Sequence, residues 1–355
     1  MRSILQQWRE QVLAAHAGQR PLCLRGSGSK DWYGQAAIGE PLDTRPYSGI
    51  IDYEPTELVI TARCGTPLAE IEATLAEQRQ MLACEPPHFG AGATLGGMVA
   101  SGLSGPRRAY AGAVRDFMLG ARLMDGAGEV LTFGGQVMKN VAGYDVARLL
   151  AGSLGTLGLI TEVSLKVLPR PLREASVRFE CSEINALARL NTWAGQPLPL
   201  SASCWHDGLL HVRLSGAEAA VGAALARLGG EPVADADQFW ASLREQRHVF
   251  FQDADCVWRL SLPSASGALV LGGQQLIEWG GALRWLKLPS QSDPVVQAAT
   301  IRRSTVAAGG HATLFRGGDK EVGVFQPLAP ALARVHQRLQ RSFDPQRLFN
   351  PGRMY

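Results

Sequence analysis

The residues of this chain whose types and spacing could do chemistry are glycines, grouped in three loops. Gly152, Gly155 and Gly158 lie close together and lead directly into an alternating apolar strand, Leu159 to Leu168. Two more glycine-rich turns lie upstream, at residues 25–30 and 90–97. Because glycine has no Cβ, each loop can bring its backbone close to a ligand. Three such loops predict a large cofactor that bears phosphate groups.

Neither of the two common nucleotide-binding motifs fits these loops. The dinucleotide fingerprint needs G-x-G-x-x-G between a strand and a helix. After Gly26 and Gly28 the third position is Asp31, and the second turn has Leu95 at that place. The phosphate-loop pattern G-x-x-x-x-G-K-[ST] does not occur in the chain. What remains is an anion cradle whose backbone N–H groups come from several loops.

Composition limits the class of protein. The 355 residues are enough for two domains, each with its own core. Charged residues make up only 19% of the chain, below the roughly 25% of an average soluble domain. This deficit indicates a large core or surface that is buried against partners. The net charge of +3 is too small to argue for nucleic-acid binding, and no basic run suggests it.

The cysteines and the N-terminus predict a cytoplasmic protein. Six cysteines are scattered without a C-x-x-C pair, so they are expected to be reduced thiols rather than disulfides, zinc ligands or iron–sulfur ligands. Arg9 and Glu10 interrupt the apolar positions of the first helix, so no signal-peptide core is present. We interpret this segment as a helix packed on its domain, with a basic amphipathic membrane anchor as the alternative. No apolar run approaches the ~20 residues of a membrane span.

The order of elements predicts two parts of α+β type. In the first part, residues 21–25 predict a strand, Asp125-Gly126 predicts a hairpin turn, and Thr66-Pro67 predicts a helix start with Thr66 as the N-cap. The pattern changes at about residue 172. Beyond it we predict strands at 209–214, 257–262, 268–271 and 282–286, and helices at 217–228 and 332–343.

Taken together, these motifs resemble the FAD-binding domain of the vanillyl-alcohol oxidase and p-cresol methylhydroxylase superfamily. The resemblance rests mainly on residues 25–29, on residues 93–102, on the stretches 139–145 and 152–160, and on residues 343–353. It implies an α+β fold in which residues 1–171 form a two-subdomain FAD-binding domain. A smaller α+β domain at 172–315 would serve as a substrate cap or as an interface. Residues 316–355 would return to the FAD-binding domain.

Within this superfamily the chain is similar to the FAD-binding E subunits of bacterial glycolate oxidases, in the branch that acts on 2-hydroxy acids. The segments 258–263 and 310–316 support this similarity. It implies an FAD-dependent oxidoreductase subunit of a complex that oxidises glycolate to glyoxylate. The implied partners are a catalytic flavin subunit and an iron–sulfur subunit that receives the electrons. Any contact with the inner face of the cell membrane would be peripheral and made through the complex.

The resemblance also implies which residues hold the cofactor. The first two loops would hold the diphosphate, residues 155–160 would lie along the ribityl chain and ring system, and Asn350 would lie near the isoalloxazine. Ser27 and Ser29 stand where some relatives attach the flavin through a histidine, so the FAD is expected to be non-covalent. No metal site is predicted. The full predicted set is Arg25, Gly26, Ser27, Gly28, Ser29, Lys30, Pro86, Gly92, Ala93, Thr94, Leu95, Gly96, Gly97, Ala100, Ser101, Gly105, Gly155, Thr156, Leu157, Gly158, Ile160 and Asn350.

The catalytic candidates are His311 as the base and Arg316 as the clamp for the substrate carboxylate, with an interface or supporting role as the alternative. In this chemistry the flavin takes a hydride from the α-carbon while a base takes the hydroxyl proton. Catalytic relatives that act on D-2-hydroxy acids hold a metal with two histidines seven residues apart. Here Cys204 stands seven residues before His211. We therefore interpret His206 and His211 as ordinary turn and strand residues.

Three functions are compatible with the sequence. The first is an FAD-binding accessory or relay subunit of a glycolate-oxidising complex. The second is a self-sufficient FAD-dependent 2-hydroxy-acid dehydrogenase of the D-lactate type, against which the missing histidine pair argues. The third is a flavin-less assembly scaffold, which would have no need of three glycine loops.

Overall fold

The computed structural model describes residues 3–135, 144–288 and 293–354, so residues 139–143 of the predicted third flavin segment lie outside the described residues. The helices are α1 (Ile4–Gly18), α2 (Leu68–Glu77), α3 (Leu95–Ser101), α4 (Arg108–Ala111), α5 (Val114–Phe117), α6 (Val146–Leu149), α7 (Glu183–Ala194), α8 (Glu218–Leu228), α9 (Ala236–Arg244), α10 (Pro294–Ala307) and α11 (Pro330–Phe343). The strands are β1 (Leu22–Arg25), β2 (Glu40–Asp43), β3 (Ile50–Glu54), β4 (Val59–Arg63), β5 (Gln80–Met81), β6 (Met118–Met124), β7 (Val130–Gly134), β8 (Leu159–Lys166), β9 (Leu168–Pro169), β10 (Arg173–Glu180), β11 (Leu200–His206), β12 (Leu209–Gly216), β13 (Glu231–Pro232), β14 (Cys256–Ser261), β15 (Gln274–Glu278), β16 (Leu283–Leu288) and β17 (His311–Gly317).

The chain divides into two units. The first unit comprises residues 1–103, 113–169 and 327–355, and the second comprises residues 104–112 and 170–326.

The first unit is built on a five-stranded sheet in the order β3-β4-β8-β6-β7. β8 pairs antiparallel with both β4 and β6, and nearly all of its residues are buried. Its alternation has a structural reason, because Leu159, Val163 and Leu165 lie on one face of the strand and are buried. The predicted hairpin is confirmed by β6 and β7, whose turn is closed by Asp125. Its carboxylate accepts hydrogen bonds from the backbone N–H groups of Ala127 and Glu129, each at 2.9 Å.

The two terminal helices form where the sequence predicts them. α1 begins at Ser3, whose hydroxyl accepts a hydrogen bond from the Gln6 backbone N–H at 3.2 Å. Its buried residues, Trp8, Val12 and Ala15, follow the helical period, as expected for a helix packed on its domain. α11 ends at Phe343, which lies against Phe133.

The predicted cap of α2 is wrong. The helix begins one residue after Pro67 and has no side-chain cap. The Thr66 hydroxyl instead accepts a hydrogen bond from the Gly49 N–H at 2.9 Å and donates one to the Gly49 carbonyl at 3.2 Å. The competing partner comes from a distant segment that the local pattern does not reveal.

The second unit is built on an eight-stranded sheet in the order β13-β10-β12-β11-β15-β16-β14-β17. Two apolar clusters lie on it, one with residues of α7 and α8 and one with residues of α10. The strand predicted at 268–271 is wrong, because the strand lies at Gln274–Glu278. Leu269 and Leu271 instead pack from a loop against the α10 cluster, so burial rather than pairing accounts for their alternation.

Within the described residues, no helix is both long and apolar enough to cross a membrane. All six cysteines are free thiols.

Candidate cofactor site

The first unit contains a cavity of about 470 Å³. Its wall is formed by the loop after β1, by α3, by the segment before and at the start of β8, and by the C-terminal residues of the unit. The volume falls within the roughly 300–1,000 Å³ of ordinary ligand pockets. The three predicted glycine loops therefore meet around one cavity.

The first loop presents backbone donors to this cavity. Arg25 bonds Asp31 across the loop, with 2.7 Å between Nε and Oδ2, and so fixes the turn. Within the described part of the chain, the N–H groups of Gly26, Ser27 and Gly28 donate no hydrogen bond. Adjacent unsatisfied N–H groups in a turn are the structural feature that binds a phosphate oxygen.

Glycine is required where the first loop meets the second segment. A Cβ on Gly26 would lie 2.6 Å from the Thr94 hydroxyl. That hydroxyl is already fixed, because it accepts a hydrogen bond from the Gly97 N–H at 3.3 Å and caps α3. Lys30 Nζ donates to the His88 carbonyl at 3.1 Å and ties the same two segments together.

The second segment contributes glycine backbone to the cavity wall, but its N–H groups are already used in hydrogen bonds. The Gly96 N–H donates to the Cys64 carbonyl at 2.8 Å, and the Gly97 N–H is used by Thr94. Both glycines line the cavity without a side chain. Because these positions carry no side chain, a ligand could lie directly against the backbone there, whereas the N–H groups without a hydrogen bond lie in the first loop.

The third loop is fastened to the end of α3. Its Gly152 N–H donates to the Val99 carbonyl at 2.9 Å, and its Leu154 N–H donates to the Ala100 carbonyl at 2.8 Å. Gly155 follows with φ of +73°, and a Cβ there would lie 2.7 Å from Asn350 Nδ2. This position therefore tolerates only glycine.

Asn350 joins the first and third loops. Its Oδ1 accepts a hydrogen bond from the Leu24 N–H at 2.8 Å, and its Nδ2 donates to the Leu154 carbonyl at 2.7 Å. The side chain lines the cavity and is buried. Because both ends of the amide are used by backbone groups, Asn350 holds the loops in position.

Positive charge lies in the cavity wall. Arg353 is buried and donates to the carbonyls of Gln35 and Asp31, each at 2.9 Å. Burial lowers the pKa of Arg353, but a guanidinium remains charged at neutral pH. Together with Lys30 it offers charge to an anionic diphosphate.

The buried thiols of Cys64 and Cys84 are not nucleophiles. Burial raises the pKa of Cys64, which lines the cavity, to about 12, and that of Cys84 to about 12. Both thiols stay protonated at neutral pH, and a thiol reacts as its thiolate. His88 is engaged with the Glu72 carboxylate at 3.2 Å. None of these groups is prepared to form a bond to a flavin.

Most of the predicted cofactor residues line the cavity. These are Arg25, Gly26, Ser27, Gly28, Ser29, Lys30, Thr94, Gly96, Gly97, Ala100, Ser101, Gly155, Gly158, Ile160 and Asn350. The other predicted residues, Pro86, Gly92, Ala93, Leu95, Gly105, Thr156 and Leu157, are not among the lining residues. Ala93 and Leu95 are core residues, and the Thr156 hydroxyl donates to the Ser153 carbonyl at 2.8 Å. Gly105 belongs to the second unit, where its carbonyl accepts from the Trp279 indole N–H.

Sequence reasoning missed the rest of the wall. The missed lining residues are Cys23, Leu24, Asp31, Ala37, Gly39, Pro41, Thr44, Cys64, Leu154, Leu159 and Arg353. Several are immediate neighbours of predicted residues. Arg353 follows directly after Asn350-Pro-Gly in the C-terminal motif, and this position next to a predicted residue could have identified it. β2 reaches the cavity only through its parallel pairing with β1, which no local pattern predicts.

The two catalytic candidates are not brought together. His311 begins β17 and Arg316 lies near its other end. At ~3.3 Å per residue their Cα atoms are about 16 Å apart, too far for both to hold one small hydroxy acid. Burial lowers the pKa of both groups, and the positive charge of Arg259 lowers that of His311 further.

His206 and His211 lie on the β11–β12 hairpin and contact aromatic rings. His206 meets Phe250 edge to face, and His211 is stacked on Phe239 with ring centroids 4.1 Å apart. In residues 3–135, 144–288 and 293–354, no three metal-binding side chains come together. The two histidines are thus accounted for by aromatic packing.

Comparison with known proteins agrees with this site. A family model described as an FAD binding domain matches residues 5–134. Glycolate oxidase subunit GlcE of Escherichia coli (strain K12) is 53% identical over 346 residues, which cover 98% of this chain and 96% of that protein. Glycolate oxidase subunit GlcD of Bacillus subtilis (strain 168) is 35% identical over 96 residues, 27% of this chain and 20% of that protein.

The fold is also found in a solved structure. An alkyldihydroxyacetonephosphate synthase matches with a TM-score of 0.65 and 15% identity, over 97% of this chain and 73% of that one. This likeness confirms the predicted α+β FAD-binding fold of the vanillyl-alcohol oxidase type. The chain is therefore an FAD-binding member of the 2-hydroxy-acid oxidoreductases and belongs to the family of the glycolate oxidase subunit GlcE.

Proposed function

We propose that this chain is the FAD-binding subunit of a complex that oxidises glycolate to glyoxylate and passes the electrons through its flavin to an iron–sulfur partner. The observation that carries the proposal is the cavity of the first unit, where three glycine loops meet beside unsatisfied N–H groups. The near full-length similarity to a glycolate oxidase subunit supports the substrate.

The residues of this chain would hold and orient the cofactor. The N–H groups of residues 26–28 would donate to the diphosphate, and Lys30 and Arg353 would balance its charge. Gly155 and Ile160 would leave room for the ring system along the third loop. FAD, when bound there, supplies an acceptor for the hydride that leaves the α-carbon of a 2-hydroxy acid. We propose that it is held without a covalent bond, because the neighbouring thiols are protonated and His88 is paired.

The other parts of the assignment follow from the same similarity. We propose a catalytic flavin subunit and an iron–sulfur subunit as partners. A relay to an outside cluster agrees with the cysteines of this chain, which are scattered and mostly buried. We also propose an FAD-binding domain at 1–171, a cap or interface domain at 172–315 and a returning segment at 316–355. The complex would be cytoplasmic, with at most peripheral contact to the membrane.

Turnover of glycolate by the purified chain and by the copurified complex tests this function. The chain alone should carry FAD but should not sustain reduction of an electron acceptor, whereas the complex should. Sustained turnover by the chain alone would establish a self-sufficient 2-hydroxy-acid dehydrogenase instead. A chain that takes up no FAD, even when FAD is supplied, would establish a scaffold.

A further inference from the structure

The last helix of the first unit, α11, has no buried residue. Leu332, Val335 and Leu339 are spaced three and four residues apart, so they form one apolar stripe along the helix. Such a stripe normally faces a core. Here Leu332 is 47% exposed and Val335 is 58% exposed. The apolar stripe of α11 therefore lies largely open to solvent.

A stripe of positive charge adjoins the apolar stripe. Arg334, Arg338 and Arg341 are exposed and are spaced four and three residues apart, so they form a second row, the arginine stripe. Arg338 follows Val335 by three residues, which makes the two rows neighbours. The helix contains no Asp or Glu, and no acidic side chain of residues 3–135, 144–288 and 293–354 forms an ion pair with the arginine stripe. Like charges one turn apart repel, and a nearby anion would relieve that repulsion.

The contacts that hold α11 lie at its C-terminal end. The Phe343 ring lies against Phe133 with the centroids 5.9 Å apart, and the Gly126 N–H donates to the Phe343 carbonyl at 3.0 Å. A helix of 14 residues is only marginally stable by itself, and most helices in proteins are stabilised by burial of their apolar face. A surface that covers the apolar stripe would supply this missing burial.

Charge complementarity and residue type point to a protein as the cover. The exposed basic residues of α11 are all arginine, which is enriched at protein interfaces where lysine is depleted. A guanidinium fork binds a carboxylate through two hydrogen bonds. Helices that lie in a lipid surface insert Trp, Phe and Leu, whereas the apolar stripe is narrow and has no aromatic residue. Anchors spaced in this way are typical of a helix that binds in a groove.

We propose that α11 docks into an apolar groove of a partner protein whose rim carries carboxylates. The apolar stripe supplies the anchors, and the arginine stripe binds the rim. That the partner is a subunit of the glycolate-oxidising complex rests on the proposed function, whereas the two stripes do not depend on it.

Amide hydrogen exchange of the full chain, followed by mass spectrometry, tests this docking. In the dilute chain alone the amides of residues 330–343 should exchange rapidly, because the helix has no buried residue. In the copurified complex with the catalytic flavin and iron–sulfur subunits they should exchange about tenfold more slowly or more. The measurement is repeated with vesicles of phosphatidylglycerol and with the concentrated chain. Slower exchange in those samples but not in the complex would overturn the proposal, because the cover would be lipid or a second copy. Equal rates in every sample would overturn it too.

Reversing one charge tests the arginine stripe separately. Arg338→Glu should weaken the affinity for the partner subunits about tenfold in surface plasmon resonance, and less at high salt. The introduced carboxylate would lie one turn from Arg334 and so favours the helix, which means that weaker binding would not reflect a lost helix. The matched control is Arg79→Glu, which changes an exposed arginine of the same unit and should bind as the parent does. Unchanged binding in Arg338→Glu, or equal losses in both variants, would overturn the proposal.

The proposed function fails separately from this docking. If the complex oxidises glycolate while α11 exchanges as fast as in the free chain, the function stands and the docking surface does not. If the complex assembles through α11 but delivers no electrons from glycolate to an acceptor, the docking surface stands without that function.

Discussion

Replacing Asn350 should loosen both loops of the cofactor cavity at once. In Asn350→Ala the N–H of Leu24 and the carbonyl of Leu154 lose their partners in a buried region. Each unsatisfied group costs about 1–3 kcal/mol. Asn350 also has φ of +45°, which costs roughly 1–2 kcal/mol more for alanine. The free energy of unfolding should therefore fall by roughly 3–8 kcal/mol, a large share of the ~5–15 kcal/mol of a typical domain.

Urea unfolding followed by circular dichroism measures this loss, and titration with FAD measures the affinity of the same variants. Asn350→Gly is the matched control, because it removes the side chain but accepts the positive φ. It should recover about 1 kcal/mol relative to the alanine variant. A fall in the free energy of unfolding of less than about 1 kcal/mol in Asn350→Ala would refute the inference that Asn350 holds the two loops in position. Weak FAD binding with unchanged stability would refute it too, since it would indicate direct contact with the flavin.

Further predictions concern the third loop, acid stability and cofactor attachment. Gly155→Ala should abolish FAD binding in equilibrium dialysis, because its Cβ would lie 2.7 Å from Asn350 Nδ2. The control is Gly208→Ala, which has a similar φ but no atom within 4 Å of the new Cβ, and it should bind FAD normally. Burial lowers the pKa values of His211 and His248 to about 4, below the ~6.5 of an unfolded chain, so stability should be full above pH 6.5 and should fall as the pH drops from 6.5 to 4. The full shift corresponds to about 3 kcal/mol per histidine, which solvent screening of these partly exposed rings reduces. Acid unfolding monitored by fluorescence should show a smaller fall in His211→Phe, and an equal fall would count against this cause. Precipitation with acid should release all FAD into the supernatant, and a coloured pellet would indicate a covalent bond.

Much of the cofactor site could be predicted from the sequence, because a close approach of the backbone requires particular residue types that are visible in the local sequence. A loop that must touch a ligand or another loop needs glycine at particular positions, as Gly26 and Gly155 illustrate. Such glycine positions recur in three segments. Together they are a specific signal of a cofactor site, although the signal from each segment alone is weak. The hairpin at Asp125 was predictable for the same reason, since its turn geometry is set by adjacent residues.

The parts that depend on contacts between distant segments could not be predicted. Thr66 has the right position for an N-cap, but a segment 17 residues away takes its hydroxyl. Arg353 becomes part of the cavity wall only because the C-terminus returns to the first loop. The shared catalytic role of His311 and Arg316 stays a prediction, which their positions near opposite ends of β17 do not support. Arg259 is close to His311 only through the β14–β17 register.

The most direct test of the central claim is an anaerobic glycolate titration of the complete complex, counting the flavin reduced per mole of this chain. The titration is repeated with a complex that carries Gly155→Ala. The account predicts that this variant loses the bleaching of one flavin per chain and no longer delivers electrons to the acceptor. Unchanged bleaching and unchanged electron delivery would contradict a flavin bound in this cavity as part of the electron path.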